Sequence, residues 1–201
     1  MTSGISILGF LSNPFIPVTN TFTTTGAHLI TIPIGTSLMK LEIEGGGGGG
    51  GGNTGIVQGN GGSSGGRCVS TYATTSVHWG QTLTLTCGAV KASTGTDNNN
   101  GQTGNASTVV AGTFTGFTAM TANGGGGGSF SLNGAGPGGT STGGNVTNQT
   151  GNTNTAQQVG AAGLTGTFIN GLAGATGANI AGGVPHPDTA TTLGQGAVHF
   201  S

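Results

Sequence analysis

The sequence predicts an all-β protein: a small β-sandwich or jelly-roll-like framework combined with packed polyglycine II helices. Three observations lead there. Several segments alternate apolar and polar residues with period two, most clearly Thr82-Leu83-Thr84-Leu85-Thr86-Cys87. No long stretch has the 3.6-residue period of an amphipathic helix, and glycine, 47 of the 201 residues, costs about 1 kcal/mol per helical position relative to alanine. Glycine also recurs every third residue in several places, and three residues make one turn of a polyproline II-type helix.

Residues 1–20 are expected to be an extended docking arm, and 21–201 a glycine-rich β/polyglycine II domain. The apolar stretch Ile5-Ser6-Ile7-Leu8-Gly9-Phe10-Leu11 lacks the basic n-region and small-residue cleavage site of a signal peptide, so Met1 is read as the start of the working protein. Pro14 and Pro17 hold residues 13–18 extended. Such an arm is either the domain's own first strand or a strap for a partner. In the second case Ile5, Ile7, Leu8, Phe10, Leu11, Phe15 and Ile16 are its contact residues.

Strands follow in order. Thr21-Phe22-Thr23-Thr24-Thr25 and His28-Leu29-Ile30-Thr31-Ile32 alternate before Pro33 and Gly35 close the segment. In residues 38–44, Met39, Leu41 and Ile43 share one face while Lys40, Glu42 and Glu44 share the other. That pattern predicts a half-buried strand with a solvated charged face rather than a paired-carboxylate active site. Residues 67–78 form the next candidate, and Trp79-Gly80-Gln81 is read as a hairpin into residues 82–87. A turn centred on Gly80 pairs residues whose numbers sum to about 160, which sets Cys68 opposite about position 92 rather than Cys87. The two cysteines are therefore expected to be buried free thiols, a disulfide requiring a wider loop or a bulge. Later strands are expected at 108–111, 113–120 and 197–201.

Residues 45–52 are eight consecutive glycines and 124–128 are five. A flexible linker is the default reading of such runs. Ordering each glycine costs roughly 1 to 2 kcal/mol, which only backbone hydrogen bonds to close neighbours can offset, at about 1 kcal/mol net each. The triplets Gly160-Ala-Ala-Gly163-Leu-Thr-Gly166 and Gly171-Leu-Ala-Gly174-Ala-Thr-Gly177 point to such neighbours, because each sets its glycines along one edge where another backbone can approach. Collagen is excluded, since the repeats are short and prolines number six.

Charge excludes further classes. Charged residues make up 3% of the chain, and Lys40, Arg67 and Lys91 are the only basic ones, too few for binding nucleic acid by counterion release. No apolar run reaches the roughly 20 residues of a membrane span, so no membrane insertion is expected. No cofactor, metal or catalytic set is expected either. His28, His78, His186 and His199 have no zinc-helix spacing. His186-Pro187-Asp188 is a His/Asp pair without a Gly-x-Ser-x-Gly elbow, and the glycine runs carry no Gly-Lys-Ser/Thr phosphate-loop ending. Sequons such as Asn105-Ala106-Ser107 arise by chance in a chain this rich in Asn and Thr. The uncharged loops 94–104 and 140–155 are the places to look for recognition. Within them Asp97, Asn98, Asn99, Asn100, Asn145, Asn148, Gln149 and Asn152 are the candidate receptor contacts.

The order of pieces, from Thr21-Phe22-Thr23 through residues 38–44 running into polyglycine, then Trp79-Gly80-Gln81-Thr82-Leu83-Thr84-Leu85 and the last strand Gly196-Ala197-Val198-His199-Phe200, resembles the glycine-rich domain of bacteriophage tail-fibre and other virion proteins. Phage adhesins with polyglycine II sandwiches are a related comparison. The resemblance covers roughly residues 21–201 and implies a structural or receptor-binding role without catalysis. On that reading the chain is a virion protein, assembled in the host cytoplasm. Its arm meets other virion proteins, and its loops meet a host glycan or outer-membrane protein. A capsid decoration or head fibre is the close alternative, and an ice-binding polyglycine II protein, with Thr82, Thr84 and Thr86 facing ice, the distant one. Monomer and homotrimer are both left open.

Overall fold

The computed structural model describes residues 15–52, 59–92, 99–130, 136–154, 160–169 and 191–201. These residues form ten strands in two antiparallel sheets and no helix. The strands are β1 (Val18–Phe22), β2 (Gly26–Thr31), β3 (Leu38–Glu44), β4 (Arg67–Ala73), β5 (Thr82–Cys87), β6 (Ser107–Ala111), β7 (Met120–Ala122), β8 (Ser141–Thr142), β9 (Thr147–Gln149) and β10 (Gln195–Phe200). The first sheet has the order β1-β10-β3-β4-β9 and the second β2-β5-β6-β7-β8. Between them lies one core. Met39, Leu41 and Ile43 of β3 and Val198 and Phe200 of β10 pack against Ile30, Leu83, Leu85, Val109 and Met120 of the other sheet. The alternation in the sequence selected these faces correctly, because inward and outward side chains swap at every residue of a strand.

Consecutive strands sit in different sheets more often than local pattern suggests. Residues 79–81 are not a hairpin: β4 pairs with β3 and β9, whereas β5 pairs with β2 and β6. The chain is held over the end of the core instead. Trp79 Nε1 donates to the Thr36 carbonyl at 3.0 Å, and the Gly80 amide, at φ +78°, donates to Ile32 O at 2.8 Å. Of the expected strand 113–120 only Met120 lies in a strand, at the start of β7, and residues 113–119 form a loop that turns at Gly116. Phe114 and Phe117 both pack on Tyr72, at centroid distances of 5.6 and 5.2 Å. Residues three apart cannot share a face of a strand, so burying both aromatics requires a loop.

Beyond the sheets, the strands continue into a layer made mostly of glycine. The amides of Gly45, Gly48 and Gly51 donate to the carbonyls of Gly66, Ser63 and Asn60, while those of Gly46, Gly49 and Gly52 donate to Asn105, Gln102 and Asn99, all at 2.8–3.0 Å. Gly46 and Gly49 in turn accept from Gly125 and Gly128, and Gly47 exchanges hydrogen bonds with Thr192 through its amide and its carbonyl. Each neighbour is therefore addressed by every third residue. Residues 45–52 are buried throughout, at the centre of the layer, so the run is a packed element and not a linker. Glycine is required there by contact: a methyl group on Gly48 would overlap the Gly126 carbonyl.

Candidate functional site

The outward face of β3 is not solvated. Glu42 and Glu44 are 0% and 1% exposed, which overturns the expectation of a charged face in water. The cover is the segment 160–169, anchored by buried Leu164 and Ile169 and by the Ala161 amide donating to Gly62 O at 2.9 Å. Glu42 holds it down. The amides of Thr167 and Phe168 donate to the Glu42 carboxylate at 3.1–3.2 Å, and Arg67 Nε donates to the same carboxylate at 2.9 Å. At the segment's end, Lys40 Nζ donates to Thr167 Oγ1 at 3.2 Å and lies 4.9 Å from the centroid of the Phe168 ring, which stacks on His199 at 5.1 Å. An ionised carboxylate receiving three donors is well satisfied, because charge-assisted hydrogen bonds offset its desolvation.

Glu44 is not satisfied. Both carboxyl oxygens are buried without a hydrogen-bond partner, and burial pushes its pKa up to about 8, although the nearby Leu164 amide and the Arg67 charge act in the other direction. The Glu42 charge adds to the rise. The group is thus a neutral acid at pH 7. Nothing in the local sequence distinguishes it from Glu42, since the difference is that the Thr167 and Phe168 amides and Arg67 hydrogen-bond to Glu42.

The candidate recognition residues fall in two places. Asn99, Asn100 and Asn152 belong to the glycine layer. Asn100 Oδ1 accepts from the Phe130 amide at 3.2 Å, Asn99 O accepts from Gly52, and Asn152 Nδ2 donates to Ala162 O at 2.9 Å. Residues 52, 60, 99–100 and 129–130, which border the sequence stretches 53–58, 93–98 and 131–135, meet at the end of this layer away from the sheets. Asn145, Asn148 and Gln149 lie instead at the β8–β9 turn and on β9, at the side of the sheets. Asn145 pairs with the backbone of Thr71 through Oδ1 and Nδ2 at 2.8 and 2.9 Å, and Asn148 pairs with Gly144 in the same way. These two amides serve the fold. Asp97 and Asn98 lie outside the described residues.

The arm residues Ile5, Ile7, Leu8, Phe10 and Leu11 also lie outside them. Phe15 packs on the core and against Gly35, while Ile16 is 80% exposed. The expected boundary at residue 20 falls inside β1, which pairs with β10 from Val18↔Phe200 to Phe22↔Gly196. Opposite the side closed by β8 and β9, the two edge strands β1 and β2 leave a cleft of about 480 Å³ lined by Asn20, Phe22, Leu29, Ile30, Val198 and Phe200 among others. Leu29 in this lining is 71% exposed, Ile16 and Ile34 beside the two strands in sequence are exposed as well, and no charged residue occurs between positions 15 and 39.

Cys68 and Cys87 are buried free thiols, and burial raises both pKa values to about 11. Among the described residues no three His, Cys, Asp or Glu side chains gather as a metal site; His186 and Asp188 lie outside them. Comparison with known families matches the glycine-rich domain over residues 23–199. The chain belongs to the glycine-rich domain family. No curated protein matches it. The match takes in β2 to β9, all but the last residue of β10 and the glycine layer of this glycine-rich domain, and leaves β1, with the rest of residues 1–22, and residues 200–201 beyond it.

Proposed function

We propose that this glycine-rich domain is a non-enzymatic bacteriophage virion protein, a tail-fibre or tail-tip component that contributes to host-receptor binding. Its glycine layer is a set of polyglycine II helices carried on a two-sheet sandwich. The observation that carries this reading is the period-three hydrogen bonding of residues 45–52 to the segments around 60–66 and 99–105. Three residues per turn is the repeat of that helix, and crosslinking by backbone alone makes a stiff, nearly uncharged platform. The described ends that border 53–58, 93–98 and 131–135 converge on one tip, which carries the candidate contacts Asn99 and Asn100. Loops on a rigid scaffold are a common way to present a binding surface. At the β1/β2 edge, exposed Leu29, with exposed Ile16 and Ile34 next to these strands in sequence, gives a face for other virion proteins, and an uncharged strand edge is suited to pairing.

The second reading is a capsid decoration or head-fibre protein. It is favoured by Asn145 and Asn148, whose side-chain amides are spent on the chain's own backbone and so leave less surface for recognition. Ice binding gains little support: on the neighbouring strands Thr84 has Leu29 and Val110 beside it, which breaks a threonine array.

The deciding experiment is cryo-electron microscopy of the particle that carries the protein, together with adsorption competition by the purified chain. Density at a fibre tip and competition that is lost when residues 94–100 are replaced are the expected results. Density on the capsid surface, with no competition, selects decoration. Absence from every particle overturns both.

A further inference from the structure

We propose that residues 160–169 are a proton-gated strap, closed over the outward face of β3 while Glu44 is neutral and opening as Glu44 ionises. The inference starts from contrast within one strand. Glu42 has three donors, two of them strap amides, whereas Glu44, two residues on and under the same segment, has none for either oxygen.

The charged and titratable groups facing Glu44 offer an ionised carboxylate less relief than burial takes away, the Arg67 charge and the Leu164 amide being the two that favour it. On β3 itself the neighbour is the Glu42 carboxylate, which repels it. From β4 comes Arg67, already engaged by Glu42 at 2.9 Å. Lys40 of β3 and His199 of β10 stand at the far end of the strap with Phe168. The strap, Gly-Ala-Ala-Gly-Leu-Thr-Gly-Thr-Phe-Ile, carries no titratable side chain, and neither does residues 45–52. A buried carboxylate without donors needs water, and the strap is what keeps water away. Opening it therefore releases one proton from Glu44 to solvent.

The direction follows from the raised pKa. Closed, Glu44 titrates at about 8; once solvated it returns toward the ordinary carboxyl value of 4.5. Between those values the open form binds fewer protons than the closed form, so closure weakens as pH rises, and below the lower value the effect is absent. The opening constant rises about tenfold per pH unit across that window.

The test is hydrogen exchange of the full chain, reading the Thr167 and Phe168 amides from pH 5 to 9 and dividing out the intrinsic exchange rate. Protection is expected to fall about tenfold per pH unit until about 8 and then level, with both amides exchanging faster than Leu83 and Leu85 of β5 at every pH. Glu44→Gln, which cannot ionise, is expected to flatten the profile. Protection independent of pH in the wild type, an unchanged slope in Glu44→Gln, or strap amides no faster than those of β5 overturns the proposal. Should Glu44→Gln fail to fold, the ¹³C carboxyl titration of Glu44 in the wild type replaces it. Its midpoint must coincide with the break in the protection profile, and a midpoint near 4.5 overturns the idea.

Discussion

Arg67 Nε and Glu42 Oε1 lie 2.9 Å apart on adjacent strands, with side chains 10% and 0% exposed. The pair ties two layers together, because the same Glu42 carboxylate receives the amides of Thr167 and Phe168. Removing one member of a buried pair leaves the other uncompensated, at about 3–5 kcal/mol. Arg67→Met is therefore expected to lower the unfolding free energy by about that amount in urea titrations. Adding Glu42→Leu is expected to recover only part of the loss, since the strap amides then have no acceptor. Full recovery in the double variant would show that the strap does not depend on Glu42.

Two glycine-to-alanine substitutions separate packing from backbone conformation. At Gly48 the added methyl meets the Gly126 carbonyl in the interior of the glycine layer, and overpacking of this kind costs about 3 kcal/mol or more. At Gly80 the methyl meets nothing within 4 Å, but φ is +78°, so the expected cost is only about 1–2 kcal/mol. Thermal melting of the two variants should place Gly48→Ala well below Gly80→Ala. The reverse order would contradict the packed layer.

Both thiols should be inert in the folded state. Cys68 and Cys87 are 0% and 2% exposed, and their thiolates are disfavoured by burial, with pKa values near 11. A thiol reagent at pH 8 is expected to react with neither in native protein within minutes and with both in urea. A mass two units lower under denaturing, non-reducing conditions would instead reveal a disulfide.

Asn145 acts as a substitute strand residue on the edge of β4, pairing with both backbone groups of Thr71. Asn145→Ala is expected to cost about 1–3 kcal/mol by leaving those groups without their partner. On the proposed function, it should not change adsorption competition at temperatures where the variant is folded. Loss of competition by folded Asn145→Ala would move the recognition surface to the β8–β9 turn.

The readable part of the fold rests on short-range rules. Alternation in residues 82–87 showed which side chains of β5 face inward, and the glycine runs 45–52 and 124–128 marked segments whose backbones approach one another closely; of the two period-three sets, 171–177 lies outside the described residues. The failures have a common origin. Residues 113–120 look like a strand until Phe114 and Phe117 must both reach Tyr72, and residues 79–81 look like a hairpin until the end of β2 captures Gly80. In each case a partner distant in the chain decided between locally acceptable conformations.

The candidate site shows the same division most sharply. By itself the sequence determined an all-β chain with a glycine layer, because period two, period three and the absence of period 3.6 are properties of neighbouring residues. It also determined that Lys40, Glu42 and Glu44 share one face of β3. Only the tertiary structure decided that this face is covered, by amides 125 residues away, and that Glu42 is ionically paired while Glu44 is left neutral. The reason is physical: a carboxyl group's state depends on the donors and water around it in space, and those are set by packing rather than by its place in the strand.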